Sequence, residues 1–355
     1  MKHLIFFLCI ISIFSCTKDA VNNPPAPSTT MYFPNNTDTA WERISPSTLG
    51  WNENAIQPLL DYLNKKHTKS FMVLVNGRIA MEEYFNGHSS SASWQWNSAG
   101  KTLVAESVGI AQQEGLLNIN EKVSAYLGEA WSSEPLEKEN LITIRHLLTM
   151  TSDLSDSSEL VIKPNLTYMA DAGTRWSYSN VFQLLMDVVA AASGQDFDTY
   201  FTTRIKDKIG MNGTWNHGVI FTIYYSNTRS MARFGLLALN DGKWKSDQVI
   251  NEPYFTESIH TSQNINPSYG YLWWLNGKSS YMIPGGQTVY PGSMIPNAPS
   301  NMFSAMGASD QRIYVVPDKK MVIVRMGDAS DPLHPTFGLS GFDTTLWGKI
   351  NAVIK

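Results

Sequence analysis

The stretch Trp96-Asn97-Ser98-Ala99-Gly100-Lys101 runs directly into Thr102-Leu103-Val104-Ala105-Glu106-Ser107-Val108-Gly109-Ile110. The second part has the composition of a helix entering a core, and the first part is its opening turn. A serine and a lysine three apart on a helix share one face and lie within side-chain reach. A serine hydroxyl is a poor nucleophile until a neighbour takes its proton, and an amine one turn away is a suitable neighbour. The start of a helix also leaves backbone N–H groups without intrahelical acceptors, which suits a developing oxyanion. Alone, the S-x-x-K spacing is weak: Ser15-Cys16-Thr17-Lys18 shows it too, in a context without meaning.

A second segment adds specificity. Tyr178-Ser179-Asn180 follows Gly173-Thr174-Arg175-Trp176-Ser177 and leads into Val181-Phe182-Gln183-Leu184-Leu185-Met186. A tyrosine acts as a base if a nearby ammonium lowers its pKa from about 10, and Lys101 is the natural candidate. Asn180 offers both donor and acceptor to a substrate amide. Tyr225-Ser226-Asn227 carries the same letters. Tyr178 is preferred because a glycine-bearing loop enters it and a strong helix leaves it, whereas Tyr225 runs into a separate helix start at Thr228.

Working outward, Glu53 to Lys65 reads as an amphipathic helix, with Ile56, Leu59, Leu60 and Leu63 on one face. Ser70 to Phe85 reads as a hairpin turning at Asn76-Gly77. Helices are expected over Lys101 to Glu114, Ile144 to Met150, Val181 to Ala192 and Thr228 to Leu239. Ile313 to Val316 and Met321 to Val324 flank Pro317-Asp318-Lys319-Lys320 as a second hairpin, and Leu339 to Ile354 reads as a closing helix. The expected class is α+β: an antiparallel sheet from both termini (about 46–90 and 300–355), flanked by helices, with a mainly helical insertion over about 91–290.

The 355 residues are 43% hydrophobic and only 16% charged, below the roughly 25% of average soluble domains. That composition excludes a coiled coil and a disordered chain. Formal charge is −4, so there is no basic excess to neutralise phosphates, and no nucleic-acid partner is expected. The only cysteines, Cys9 and Cys16, leave the body without a disulfide or thiolate metal site. No H-E-x-x-H, P-loop, G-x-G-x-x-G or G-x-S-x-G is present. Neither a metal nor an organic cofactor is expected. His146 could serve as a triad base, but a structural helix histidine is the simpler reading.

The N-terminus reads as an address. Met1-Lys2-His3 precedes an apolar run from Leu4 to Phe14, then Ser15-Cys16. Eleven residues are too few to stay as a spanning helix. Ile13-Phe14-Ser15-Cys16 is similar to a bacterial lipobox. That makes 1–15 a lipoprotein signal peptide and Cys16 the lipidated residue. Residues 16–45, rich in Pro and Asn, become a flexible tether, and 46–355 the body. The expected location is the bacterial cell envelope, with the chain membrane-held through its lipid.

Taken together, five stretches resemble the serine β-lactamase-like hydrolases. They are Trp96 to Lys101, Glu114-Gly115-Leu116-Leu117, Ile142 to Ser152, Trp176 to Asn180, and Tyr269-Gly270-Tyr271-Leu272-Trp273-Trp274. The superfamily includes class C β-lactamases, D-Ala-D-Ala peptidases, esterases of the same fold and nylon-oligomer hydrolases. The resemblance runs from about Trp51 to Ile354, and the tyrosine box places it nearer class C. It implies a Ser98 acyl-enzyme on an ester or amide, with Lys101 and Tyr178 as the activating pair.

Where class C enzymes carry K-T-G, this chain has Ala305-Met306-Gly307. Gly307 would permit close backbone approach, and the Ala308 N–H would be the second oxyanion donor beside that of Ser98. Asp310 stands where many relatives of the A-x-G-x-x-G-Q type carry glycine. The missing lysine counts against recognition of a substrate carboxylate, hence against a true β-lactamase or D-Ala-D-Ala peptidase. A binding or sensor lipoprotein with a degenerate site is the other alternative. Trp273, Trp274 and Tyr271 are expected to pack rather than wall a pocket.

Overall fold

A computed structural model describes residues 30–37, 40–333 and 341–354. The signal peptide, Cys16 and the first part of the tether lie outside the described residues. Six strands form one antiparallel sheet: β1 (Thr68–Val75), β2 (Arg78–Tyr84), β3 (Trp274–Leu275), β4 (Phe303–Gly307), β5 (Gln311–Val316) and β6 (Met321–Gly327). Their spatial order is β2-β1-β6-β5-β4-β3. The central β1–β6 pair therefore joins the two ends of the body, with Val73 opposite Ile323. Both expected hairpins form. Asn76 and Gly77 take positive φ of 48° and 77°, as a tight two-residue connection between twisted strands requires.

The longer helices among the described residues are α1 (Ile56–Lys65), α2 (Lys101–Gln113), α3 (Leu184–Ser193), α4 (Thr228–Leu239) and α5 (Gly341–Ile354); α1, α4 and α5 lie against the sheet, and α3 packs on α2. Alternation along the strands sends neighbours to opposite faces. On β5, Tyr314 meets Trp347 of α5 edge-on at 5.5 Å. Its neighbour Ile313 faces α4. There a Cβ on Gly235 would stand 2.5 Å from Val322 Cγ1 and 2.9 Å from Ile313 Cγ2, so glycine lets α4 lie directly on the sheet. Helix α2 is buried from Lys101 to Ala111, hence its lack of a polar face. The fold is α+β, as expected.

The middle of the chain is less helical than its periodicity suggests. Trp94–Gln95, Thr214–His217 and Thr222–Ser226 form a small three-stranded sheet, and most of 149–179 and 259–302 has no regular structure.

The expected tether over 16–45 is corrected for its described part. Residues 30–37 and 40–45 are packed against the body. Trp41 is buried and donates from Nε1 to Gly77 O at 2.7 Å. Phe33 meets Trp244 edge-on at 5.1 Å. Arg233 donates to Asn35 O at 2.7 Å and faces the Trp41 ring at 5.2 Å. Ile44 N–H bonds Ile79 O at 3.0 Å. Proline and asparagine density suggested a linker, but the interspersed Tyr32, Phe33 and Trp41 supply the apolar surface that docks it.

Candidate active site

Ser98 lies on a 3-10 turn, Asn97–Gly100, that continues into α2. Asn97 holds φ at 49°, and its Nδ2 donates to Ala308 O at 2.8 Å. This bond ties the turn to the end of β4. Lys101 is buried one turn on, 3% exposed, with Nζ 2.9 Å from Ser98 Oγ. The amine sits 4.2 Å from the centre of the Phe182 ring and 4.8 Å from that of Tyr178. Burial pulls the Lys101 pKa down to about 7, against the opposing effect of Glu159.

Tyr178 stands beside Ser98 with its hydroxyl buried. The sequence leads one to expect a phenolate favoured by Lys101, yet its pKa is raised. Burial is the dominant cause, and the Ser98 hydroxyl and Arg312 only partly offset it. Trp176, Tyr269 and Trp274 surround the ring with centroids at 6.1, 6.1 and 5.6 Å. Lys101 faces the ring rather than the oxygen. Oη is buried and makes no hydrogen bond of normal geometry, although Ser98 stands beside it. Tyr178 is thus a neutral phenol next to the serine, and the low-pKa group is the lysine.

Asn180 opens the turn Asn180–Gln183, with its amide already engaged. Nδ2 donates to Glu159 O at 3.0 Å and to Glu159 Oε2 at 2.8 Å. The expectation that it donates to a substrate amide is corrected accordingly: its donor group holds Glu159. Neither Glu159 nor its neighbour Asp156 was found from sequence. Both lie in an irregular loop where periodicity gives no signal. Asp156 is paired, accepting from Arg175 Nη2 at 2.8 Å and Ser177 Oγ at 2.6 Å.

Gly307 ends β4 against the serine turn. A Cβ there would stand 2.3 Å from Trp96 O and 3.0 Å from Ser98 N, so only glycine fits. Its carbonyl accepts from Arg312 Nη1 at 2.9 Å. In a trans peptide the next N–H points opposite to the carbonyl, so the Ala308 N–H is turned away from Arg312. Asp310 explains its departure from glycine. Its φ is 57°, in the left-handed region, and its carboxylate accepts from Arg312 Nη2 at 3.0 Å and Ser330 N at 2.9 Å.

Ser98, Lys101, Tyr178, Asn180 and Ala308 line one cavity of about 330 Å³, together with Asn97, Asp156, Glu159, Phe182, Phe221 and Ile223. Gly307 supports it from behind. A neighbouring cavity of about 480 Å³ is lined by Asp187, Asp196 and an exposed His217–Asp198 pair, with no serine or lysine. Tyr225 lies outside the site: Asn227 caps α4 through Ser230 N at 2.9 Å, and Ser226 Oγ accepts from Trp96 Nε1 at 2.8 Å. His146 accepts from Thr143 N at 3.2 Å in a helix cap. Trp273, Trp274 and Tyr271 are buried packing groups. Among the described residues no cluster of three or more His, Cys, Asp or Glu side chains has metal-site geometry.

An α+β sheet with a serine-lysine turn at its end and a tyrosine across the cleft defines the β-lactamase/transpeptidase-like fold. The chain belongs to the beta-lactamase family, whose model matches residues 61–335. No curated protein matches its sequence. A Bacteroides dorei protein assigned as a beta-lactamase is 14% identical, covering 85% of this chain and 98% of its own, with a TM-score of 0.65. A Bacillus anthracis protein assigned as a 6-aminohexanoate-dimer hydrolase is 19% identical, covering 93% and 88%, with a TM-score of 0.64. A family VIII carboxylesterase is 12% identical, covering 83% and 96%, with a TM-score of 0.63. At these identities the likeness is one of fold.

Proposed function

We propose that the chain is a serine hydrolase that cleaves an ester or amide bond through a Ser98 acyl-enzyme. The observation that carries this reading is the buried Lys101 amine 2.9 Å from Ser98 Oγ. With a pKa near 7, a large fraction of Lys101 is neutral at physiological pH and able to accept a proton. Ser98 Oγ gives its proton to Lys101 Nζ and attacks the carbonyl carbon. The N–H groups of Ser98 and Ala308 receive the oxyanion, each such donor being typically worth about 2.7–4 kcal/mol. As the tetrahedral adduct collapses, the leaving group departs with the proton returned by Lys101, beside the neutral Tyr178 hydroxyl. Water then attacks the acyl carbon, giving its proton back along the same route, and Ser98 is freed.

The neighbours assigned as a 6-aminohexanoate-dimer hydrolase, a carboxylesterase and a D-stereospecific amidohydrolase support acyl transfer chemistry on this fold. A β-lactam or peptide carboxylate is a poorer match, because Lys101 is the one cation among the residues lining the cavity. A fluorophosphonate probe tests the reading. Covalent labelling of the wild type that vanishes in Ser98→Ala supports it, and an unlabelled folded wild type refutes it.

We also propose export and lipidation at Cys16, on the strength of the Leu4–Phe14 apolar run and the Ile13-Phe14-Ser15-Cys16 ending. Among the described residues no helix is long and apolar enough to cross a membrane. Metabolic labelling with a palmitate analogue, absent in Cys16→Ala, is the expected result.

A further inference from the structure

The charges lining the cavity are Lys101, Asp156 and Glu159. They are not equivalent. Asp156 is neutralised by Arg175 at 2.8 Å and further satisfied by Ser177. Lys101 works as a neutral amine when it accepts the serine proton. Glu159 remains. Among the described residues no salt bridge pairs it, and its hydrogen bonds are the two from Asn180 Nδ2, to its carbonyl and to Oε2. The asparagine thereby fixes one carboxylate oxygen and aligns the other beside it. Phe182, Phe221, Ile223 and Pro284 supply the apolar part of the same cavity.

An exposed carboxylate held by Asn180 and in no salt bridge among the described residues, although its charge reaches Lys101, stands on the wall of a largely apolar cavity and is complementary to a cation. We infer that the substrate carries a protonated amine that docks on Glu159, joined to the scissile carbonyl by an apolar segment lying along Phe182 and Phe221. Glu159 is then a specificity-determining residue held by Asn180. This inference deepens the hydrolase reading and rests on it.

Three p-nitrophenyl esters of equal chain length test it, ending in an ammonium, a methyl or a carboxylate group. The wild type should favour the ammonium ester over the methyl ester by about tenfold or more in kcat/KM, the scale of one charge-assisted hydrogen bond. The carboxylate ester should be the poorest. Glu159→Gln should bring the ammonium-to-methyl ratio close to unity, and Glu159→Lys should reverse the ammonium-to-carboxylate order. Equal kcat/KM for the three in the wild type, or an ammonium preference that survives Glu159→Gln, overturns the inference.

If Ser98→Ala cleaves the esters as fast as the wild type, the hydrolase reading itself fails. A measurement without turnover separates the two failures. Hexylammonium should raise the Tm of Ser98→Ala in a saturable way, hexanoate should not, and the effect should vanish in Ser98→Ala/Glu159→Gln. No difference between the two additives overturns the amine site even if ester cleavage is confirmed.

Discussion

Arg312, fully buried on β5, holds the carbonyl of Gly307 at 2.9 Å while its other nitrogens grip Asp343 at 2.7 and 3.0 Å and Asp310 at 3.0 Å. Tyr314 adds a hydrogen bond to the same Asp343 carboxylate. One guanidinium therefore couples the closing helix α5 to the peptide that faces the serine. Arg312→Met strands two buried carboxylates, and a loss of about 3–5 kcal/mol is expected in urea unfolding. Arg312→Lys keeps the charge but not the fork. It should lose less stability, while kcat falls in the fraction that folds.

The pH dependence follows from Lys101. Its neutral form is the base, so kcat/KM should climb with pH and level off above about 7. A pH–rate profile on a neutral ester checks this, and a flat profile across that range counts against it.

The same lysine costs stability. Its folded pKa lies below the 10.5 of an ordinary lysine, so between about 7 and 10.5 the unfolded chain binds the extra proton. Stability therefore rises with pH across that window, and the burden of Lys101 is greatest at the low end. Lys101→Met should reduce kcat by about 10²–10⁴-fold. It should also be more stable than the wild type at pH 7, with the difference shrinking toward pH 10. Denaturant midpoints at the two pH values provide the test.

Tyr178→Phe distinguishes a phenol from a phenolate. A neutral phenol that stands beside Ser98 as a hydrogen-bond donor predicts a lower kcat with the rise near pH 7 retained. Disappearance of that rise would mean that the tyrosine, not the lysine, is the titrating base.

Gly307→Ala places a methyl 2.3 Å from Trp96 O and forces β4 away from the serine turn. About a hundredfold loss in kcat/KM is expected, the scale of a displaced oxyanion donor. Fluorophosphonate labelling should slow in parallel.

The sequence showed the reactive pair because two residues three apart on one helix turn are a local relationship. Tyr178 was legible for a similar reason: a loop, three letters and a helix start. What lay between distant segments was not. Glu159 matters through Asn180, 21 residues away in an irregular loop, and Arg312 through Asp343, 31 residues away. Asp310 read as a defect in a family pattern because its partner is visible only once β5 is folded. Charge proximity alone points to an acidic phenol, whereas burial in the Trp176, Tyr269 and Trp274 cage raises its pKa. Composition alone makes residues 30–45 a tether, but Tyr32, Phe33 and Trp41 dock them on the body.

That docked N-terminal segment sets the practical limits of the molecule. Cutting at residue 46 would strip Trp41 from its slot by Gly77, uncover Trp244 and deprive Arg233 of the carbonyl it holds. A recombinant form intended for crystals or assays should therefore begin no later than residue 30. A version trimmed to the family boundary should come out sticky and poorly expressed.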